Sequence, residues 1–298
     1  MNQPFKDNKK RLWYLIYIIG LTVVLLYIKF PTKVLTNYIK AQAEERYPEL
    51  NISFDKIGLS LSPGITIGGL KISLKEDPDT PVYVSKKSSV SLSILSWLKG
   101  DSKYYFESKV KDGEISGYLE EKDIAKKERI EAAINIEDIK LDENIFIHPL
   151  ISQRIEGTVT GKIKFIGDLA DPMRGNTEIS LDMADGKFIL KKPLLDMDVV
   201  DFQKISLSGV LDNRRLNIKD LDMTGGPVSG SASGTIQINN VFLSSRLRLK
   251  AEIEASPTLD RDAPGVGKAF DLMKNKIKDG KLHIDIRGTI DRPLPQFR

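Results

Sequence analysis

One uncharged stretch near the start of the chain constrains the rest most. It runs from Leu12 to Ile28 with the sequence LWYLIYIIGLTVVLLYI. As a helix it rises about 26 Å, close to the ~30 Å hydrocarbon core of a bilayer. Lys29 can extend its charge to the interface, so the pattern predicts a transmembrane helix over residues 12–30. The predicted anchor residues are Leu12, Trp13, Leu15, Ile16, Ile19, Leu21, Val23, Val24, Leu25, Leu26 and Ile28.

The residues before this stretch predict its orientation. The tail 1–11 contains Lys6, Lys9, Lys10 and Arg11, opposed only by Asp7. Because basic segments stay on the cytoplasmic side, the tail is predicted to be cytoplasmic and the remainder to lie across the membrane.

A cleaved signal peptide is the alternative reading of the same stretch. Its apolar run is longer than the 7–15 residues typical of a signal peptide. The small-residue triplet Ala41-Gln42-Ala43 lies well beyond that run, inside a helical pattern. The sequence therefore favours an uncleaved anchor.

Composition excludes several classes of function for the exported part. The formal net charge is +4, and residues 1–11 contribute +3 of it, from four basic side chains and one acidic one. A nearly neutral body argues against nucleic acid as a partner, because phosphate contacts need a basic surface. The chain has no cysteine, which removes disulfides, thiolate metal sites and cysteine nucleophiles.

A second helical segment is predicted over residues 31–49. Leu35, Tyr38, Ile39 and Ala43 recur near helical spacing among charged residues, and Pro48 ends the pattern. Two roles fit this amphipathic helix. It can cover one end of a sheet, or it can lie on the outer face of the membrane.

From residue 50 to residue 298 the apolar period changes from helical to two, which predicts β-strands. Asp-Gly pairs at 112–113, 185–186 and 279–280 predict hairpin turns between them. Two strands near the end alternate most regularly. Their predicted apolar face, or groove lining, consists of Leu247, Leu249, Ala251, Ile253, Leu282, Ile284 and Ile286.

The predicted fold class is therefore mainly β, with a long, curved, mostly antiparallel sheet of half-barrel or groove-like form. One further helix is predicted from Pro264 to Ile277, where apolar residues return to helical spacing. A one-sided apolar sheet must hide that face from water. A closed core and an open groove both satisfy this requirement, so the sequence leaves the choice open.

No catalytic, cofactor-binding or metal-binding residues are predicted. The two histidines, His148 and His283, are 135 positions apart and offer no metal-ligand spacing. The run Gly230-Ser-Ala-Ser-Gly234 has Ala232 where a nucleophile elbow needs serine, so it is interpreted as small residues between strands. The sequence thus predicts a protein that is not an enzyme.

Three segments resemble a known group of envelope proteins. They are LTNYIKAQAEERYPELNISFDKIGLSLSPGITIGGLKI after the anchor, IEGTVTGKIKFIGDLADP in the middle, and VSGSASGTIQI with DGKLHIDIRGTIDRPLPQF near the end. These segments are similar to AsmA-type envelope proteins. In size and layout the chain most closely resembles the type II secretion system protein N family, Leptospira-type subfamily.

This resemblance implies a single-pass protein of the bacterial inner membrane with a periplasmic β domain. The narrower likeness implies a non-catalytic component of type II protein secretion, with other secretion subunits as partners. The wider superfamily implies a lipid-binding or lipid-transfer protein with an apolar β-groove, and phospholipid as its ligand. One-sided amphipathic strands suit both functions.

Overall fold

The computed structural model describes residues 5–29, 31–60, 63–122, 129–141, 154–168, 171–194, 197–256 and 264–298. Its fold is mainly β, which confirms the mainly β part of the predicted fold class. Four α-helices are described. They are α1 (Phe5–Ile28), α2 (Thr32–Arg46), α3 (Ile94–Leu98) and α4 (Pro264–Leu272).

Helix α1 begins within the segment predicted to be a cytoplasmic tail, and it is 24 residues long. Of the predicted anchor residues, Leu12, Trp13, Leu15, Leu21 and Leu25 are exposed. The remaining predicted anchor side chains lie outside the described part of the structure: Ile16, Ile19, Val23, Val24, Leu26 and Ile28. Among the described residues, no helix is both long enough and apolar enough to span a bilayer.

The strands follow α2 and differ widely in length. They are β1 (Leu50–Ser53), β2 (Lys56–Leu59), β3 (Gly64–Leu74), β4 (Asp77–Leu92), β5 (Ser102–Val110), β6 (Gly113–Lys122), β7 (Arg129–Leu141), β8 (Arg154–Gly167), β9 (Asn176–Leu194), β10 (Met197–Asp212), β11 (Arg215–Thr224), β12 (Val228–Gln237), β13 (Arg246–Ala255), β14 (Ile277–Lys278), β15 (Lys281–Thr289) and β16 (Pro293–Phe297).

All of these strands belong to one open antiparallel sheet. From β3 to β13 every strand pairs with its neighbours in sequence. At one edge β1 and β2 both pair with β3, and α2 packs against these two strands. At the other edge β14 and β16 both pair with β15. The sheet thus has two separate edges, each formed by short strands.

Helix α3 is not predicted by the sequence, because the alternation of Val90, Leu92 and Ile94 favours a strand that continues through Ile94. The strand ends at Leu92 instead, and Ser93 begins a helix. The Ser93 Oγ accepts hydrogen bonds from the Ser96 N–H over 3.4 Å and from the Ser96 hydroxyl over 3.0 Å. This capping satisfies a donor at the helix start, which a period-two pattern cannot reveal.

Helix α4 is shorter than the predicted helix, which was expected to reach Ile277. It ends at Leu272, and a single 3₁₀ turn follows over Lys274–Lys276. Ile277 instead opens β14 and pairs with Leu282. The reason is the turn at Asp279-Gly280, where both residues have positive φ values of 52° and 79°. A tight turn there folds the preceding residues back onto β15.

Two predictions about connections are wrong. The Asp185-Gly186 pair was expected to form a turn, but β9 continues through it. There two residues of β9 oppose the single residue Gly157 of β8, which makes a β-bulge, and Asp185 has a φ of 48°. The Gly230–Gly234 run was expected between strands but lies inside β12.

Candidate functional site

The predicted apolar residues of the last long strands lie on one face of the sheet. The register of β13 and β15 places Leu249 opposite Ile286. It also pairs Leu247 with Gly288, Ala251 with Ile284 and Ile253 with Leu282. Because directly opposed side chains share a face, all seven predicted residues are brought together. Their role as a core or a groove stays a prediction.

This face continues across the whole sheet. A row of directly opposed residues, here called the apolar row, crosses fourteen strands from β16 to β2. In order its members are Pro295, Ile286, Leu249, Gly234, Ile218, Gly209, Ile179, Ile163, Ile134, Gly117, Phe106, Val90, Ile65 and Leu59. Every member is apolar or glycine. With strands about 4.8 Å apart, the row is about 60 Å long.

Burial along this face is partial and uneven. Leu282 is only 2% exposed, whereas Val90, on the row at the other side of the sheet, is 39% exposed. Most members between them, including Ile163 and Ile179, are half-buried. The side chains of this face are therefore more exposed to solvent than the interior of a β-sandwich and less exposed than the face of an isolated flat sheet.

Glycines leave room for aromatic rings on this face. A methyl group added at Gly117 would lie 2.7 Å from the Phe106 ring, and one added at Gly186 would lie 2.3 Å from the Phe202 ring. Phe202 is almost fully buried and packs against Phe188, with ring centroids 5.1 Å apart. The aromatic rings therefore occupy the space that a side chain at either glycine would need.

Helix α4 covers one end of the face. Val266 of α4 is buried and packs with Val228 and Ala255, which oppose each other where β12 begins and β13 ends. Phe270 joins the same cluster. The helix therefore shields the apolar face at this end.

A cluster of hydroxyl groups interrupts the apolar face on β4 and β5. Ser88 and Ser108 oppose each other in register, and their Oγ atoms are 2.7 Å apart. Each also lies 2.9 Å from the Oγ of Ser85, which donates to the Lys109 carbonyl over 3.1 Å. The Tyr83 hydroxyl contacts the Ser108 hydroxyl. Sequence reasoning missed this cluster, because period-two alternation does not distinguish hydroxyl residues on the inner face from those on the outer face.

The opposite face of the sheet is polar and held by cross-strand contacts. Lys103 donates to Glu120 over 3.0 Å and lies 4.0 Å from the centre of the Tyr118 ring. The hydrogen bond to Glu120 raises the pKa of the Lys103 ammonium above its ordinary value. The Tyr118 hydroxyl donates to Glu131 over 2.8 Å, and this bond raises the pKa of the tyrosine.

Asp182 on the same polar face accepts a 2.6 Å hydrogen bond from the Ser206 hydroxyl. This bond, with the Lys204 ammonium 3.2 Å away, lowers the pKa of the Asp182 carboxyl. Contacts of this kind link neighbouring strands. Because the Lys204–Asp182 ion pair is exposed, it contributes little to the stability of the fold on its own.

Reactive groups are sparse in the part of the chain that the structure describes. The Nδ1 of His283 lies 3.5 Å from Glu252 on the polar face, while His148 falls outside the described residues. Within the described ranges no group of His, Asp and Glu side chains is arranged to hold a metal ion. A cavity of about 550 Å³ opens beside the β9 bulge, where Lys187 pairs with Glu156 over 3.0 Å. Lysines and carboxylates both line this cavity, and their arrangement does not indicate a reaction.

Comparison with known proteins gives no match: no family model, no curated protein and no solved structure matches this chain. The likeness to AsmA-type proteins is therefore a prediction from the sequence alone.

Proposed function

We propose that this protein is a non-catalytic, membrane-anchored envelope protein whose open sheet binds phospholipid acyl chains along its apolar face. The observation that carries this proposal is the apolar row, which crosses fourteen strands without a polar side chain. Hydrocarbon placed on that row would leave water, which is favourable by about 0.8 kcal/mol per buried CH₂ group. The row is long enough for several acyl chains.

Bulges support a curved, groove-like form of the sheet. The register slips by one residue in β9 at Asp185-Gly186, in β7 between Ile136 and Ile139, and in β10–β11 after Ser208. A bulge bends its strand and increases the local twist. Repeated bending in one sheet favours a trough in which the half-buried apolar residues form the concave wall.

The proposed anchor is α1. Its uncharged part, residues 12–28, is about 26 Å long as a helix, close to the ~30 Å hydrocarbon core. The exposed apolar residues Leu12, Trp13 and Leu15 support this role, as does the basic tail before them. With the resemblance to envelope proteins, these features favour the bacterial inner membrane, a cytoplasmic N-terminus and a periplasmic β domain.

Site-specific photocrosslinking tests lipid binding directly. A benzophenone amino acid replaces Ile163 in the middle of the row, and in a matched variant it replaces Lys162, the neighbouring residue on the polar face. The full chain is irradiated in native membranes, purified in detergent and weighed intact by mass spectrometry. We expect phospholipid adducts at position 163 and not at position 162. Equal labelling at both positions, or none at 163, would refute binding on the apolar face.

A role in type II protein secretion is the second candidate. The edge strand β16 supports it, since Leu294 and Phe297 are exposed there beside the outermost long strand β15. Exposed apolar side chains at an edge suit contact with another protein subunit. Photocrosslinking from position 294 in native membranes should then capture other secretion subunits. If only lipid or no adduct is found there, docking through this edge is wrong.

A further inference from the structure

Helix α3 presents an exposed apolar surface. Four of its five residues are large and apolar, and they are between 51% and 74% exposed. These residues, here called the α3 patch, are Ile94, Leu95, Trp97 and Leu98. Contiguous exposed apolar residues mark a site of contact with a partner or a membrane. Neither the hairpin that α3 connects nor the apolar face requires such residues at this position.

The α3 patch is held in a defined conformation. Ser93 caps the start of the helix, as described above. At the other end the Gly100 N–H donates to the Trp97 carbonyl and the Asp101 N–H donates to the Ser96 carbonyl, both over 3.0 Å. With Gly100 at a φ of 90°, this pair of bonds is a Schellman motif. Both ends are fixed, so the patch is presented to the surroundings already ordered.

The path of α2 locates the α1–α2 junction relative to the sheet. The Leu50 N–H donates to the Tyr47 carbonyl over 3.0 Å, so the end of α2 adjoins the start of β1. Midway along the helix, the Lys40 ammonium lies 5.2 Å from the centre of the Phe54 ring. Since α2 also packs against β2, it runs antiparallel to β1 and β2. Its first residue, Thr32, therefore lies toward the end of β2.

That end of β2 is also where α3 lies. Beyond β2, the Ser60 N–H donates to the carbonyl of Gly64, the first residue of β3, over 3.0 Å. The Leu92 N–H, at the end of β4, donates to the Pro63 carbonyl over 2.8 Å, and α3 starts two residues later. We call this end of the strands the junction end. Helix α1 ends at Ile28, only a few residues before Thr32, so it ends near the junction end as well.

Other residues at the junction end have matching character. The β12–β13 connection, which lies at this end, exposes Val241 and Leu243. Lys29 and Lys33 flank the α1–α2 junction, and Lys99 follows the α3 patch, all exposed. Apolar residues with lysines beside them suit the boundary between acyl chains and anionic headgroups.

We propose that the α3 patch inserts into the bilayer interface beside the end of α1, in the leaflet that faces the β domain. Trp97 occupies the headgroup level, which suits an indole ring, and Leu95 and Leu98 reach the adjacent acyl chains. Two contacts, α1 and α3, then fix the angle of the sheet to the membrane, which a single helix followed by a short linker does not. This inference rests on the proposed function, because it assumes that α1 is embedded.

The two tryptophans of the chain allow a clean test, because one lies in α1 and the other in α3. Trp13→Phe leaves Trp97 as the single tryptophan, and Trp97→Phe leaves Trp13. Each full-length variant is reconstituted into vesicles of phosphatidylcholine and phosphatidylglycerol, with and without bromine on the acyl chains. We expect brominated lipid to quench both variants, and the emission of Trp97 to lie at shorter wavelength in vesicles than in urea.

A third variant separates membrane insertion from lipid bound in the groove. In the Trp13→Phe background, Leu95→Asp with Leu98→Asp should abolish quenching of Trp97. Because both substituted positions are exposed, the fold should be kept. If Trp97 is not quenched although Trp13 is, the insertion of α3 is wrong and the anchor stands. Quenching of neither tryptophan overturns the anchor and the insertion together. Quenching of Trp97 that survives the double substitution assigns the signal to lipid elsewhere and also overturns the insertion.

Discussion

Ser108 donates a hydrogen bond to Ser85 across neighbouring strands of the sheet, with 2.9 Å between the two Oγ atoms. Ser85 is completely buried, and its hydroxyl donates a hydrogen bond to the Lys109 carbonyl. The two residues before Ser88, Lys86 and Lys87, are both exposed. The hydroxyl pair thus ties β4 to β5 where the alternation of β4 is interrupted.

Substitution of Ser85 should therefore destabilise the fold. Ser85→Ala removes the acceptor of Ser108 and leaves the Lys109 carbonyl without its hydroxyl donor. Buried polar groups that lose a partner cost about 1–3 kcal/mol each. We expect the free energy of unfolding of the full chain, measured by urea titration in detergent, to fall by about that amount. Ser233→Ala, at an exposed position on β12, should change it by less than about 0.5 kcal/mol. Equal effects of the two substitutions would show that the hydroxyl cluster has no structural role.

The β9 bulge depends on the absence of a side chain at Gly186. Gly186→Ala would place a methyl group 2.3 Å from the Phe202 ring and 2.4 Å from the Glu156 carbonyl oxygen. Because one of these atoms is backbone, the clash cannot be relieved by a rotamer change alone, and overpacking costs about 1–3 kcal/mol. We expect a lower thermal unfolding midpoint. The control is Gly58→Ala in β2, where the nearest atom lies 3.5 Å away, so its midpoint should stay near that of the parent.

Stability should decrease at alkaline pH because of the polar cluster around Lys103. Its folded pKa is raised above 10.5 and that of Tyr118 is raised above 10.0. A group with a raised folded pKa contributes stability below its unfolded pKa and loses it as pH rises through the folded value. The stability that these two groups contribute should therefore be lost above about pH 10.

Glu120→Gln tests this assignment. It removes the hydrogen-bonded carboxylate, so NMR titration of the Lys103 ammonium should give a lower pKa than in the parent protein. The stability difference between parent and variant should be no more than about 1 kcal/mol at neutral pH, since the pair is partly solvent-screened, and should shrink above pH 10. An unchanged pKa of Lys103 would contradict the role given to Glu120.

The proposed topology can be tested without purification. A phosphatase that folds only in the periplasm, fused after Arg298, should be active in cells. A β-galactosidase fusion at the same position should be inactive. The reverse pattern would overturn the orientation and both candidate functions.

Much of the architecture followed from alternation alone. The regular pattern of Leu247 to Ile253 predicted a strand with one apolar face, and the observed register sets these residues against Leu282 to Ile286. Such predictions succeed because the two-residue period of a strand directly sorts side chains onto two faces. The second helix was likewise predicted close to its observed bounds.

The missed features depend on contacts distant in sequence. Asp185-Gly186 has the composition of a hairpin turn. Because β9 pairs with both β8 and β10, the strand continues through these two residues, which form a bulge. Helical spacing of Phe270, Met273 and Ile277 predicted one continuous helix, yet Ile277 pairs with Leu282. Local pattern cannot weigh these competing long-range pairings.

The sequence by itself determined that this chain is mainly β, that its sheet has one apolar face, and that an uncharged stretch of helix, residues 12–28, precedes it. Alternation, periodicity and charge are local properties, so the residues carry them directly. Only the tertiary structure decided that the strands form one open sheet, that their apolar residues join into a single row, and that the α3 patch lies at the junction end. Those outcomes depend on register and strand order, which arise when segments far apart in the chain pair with one another.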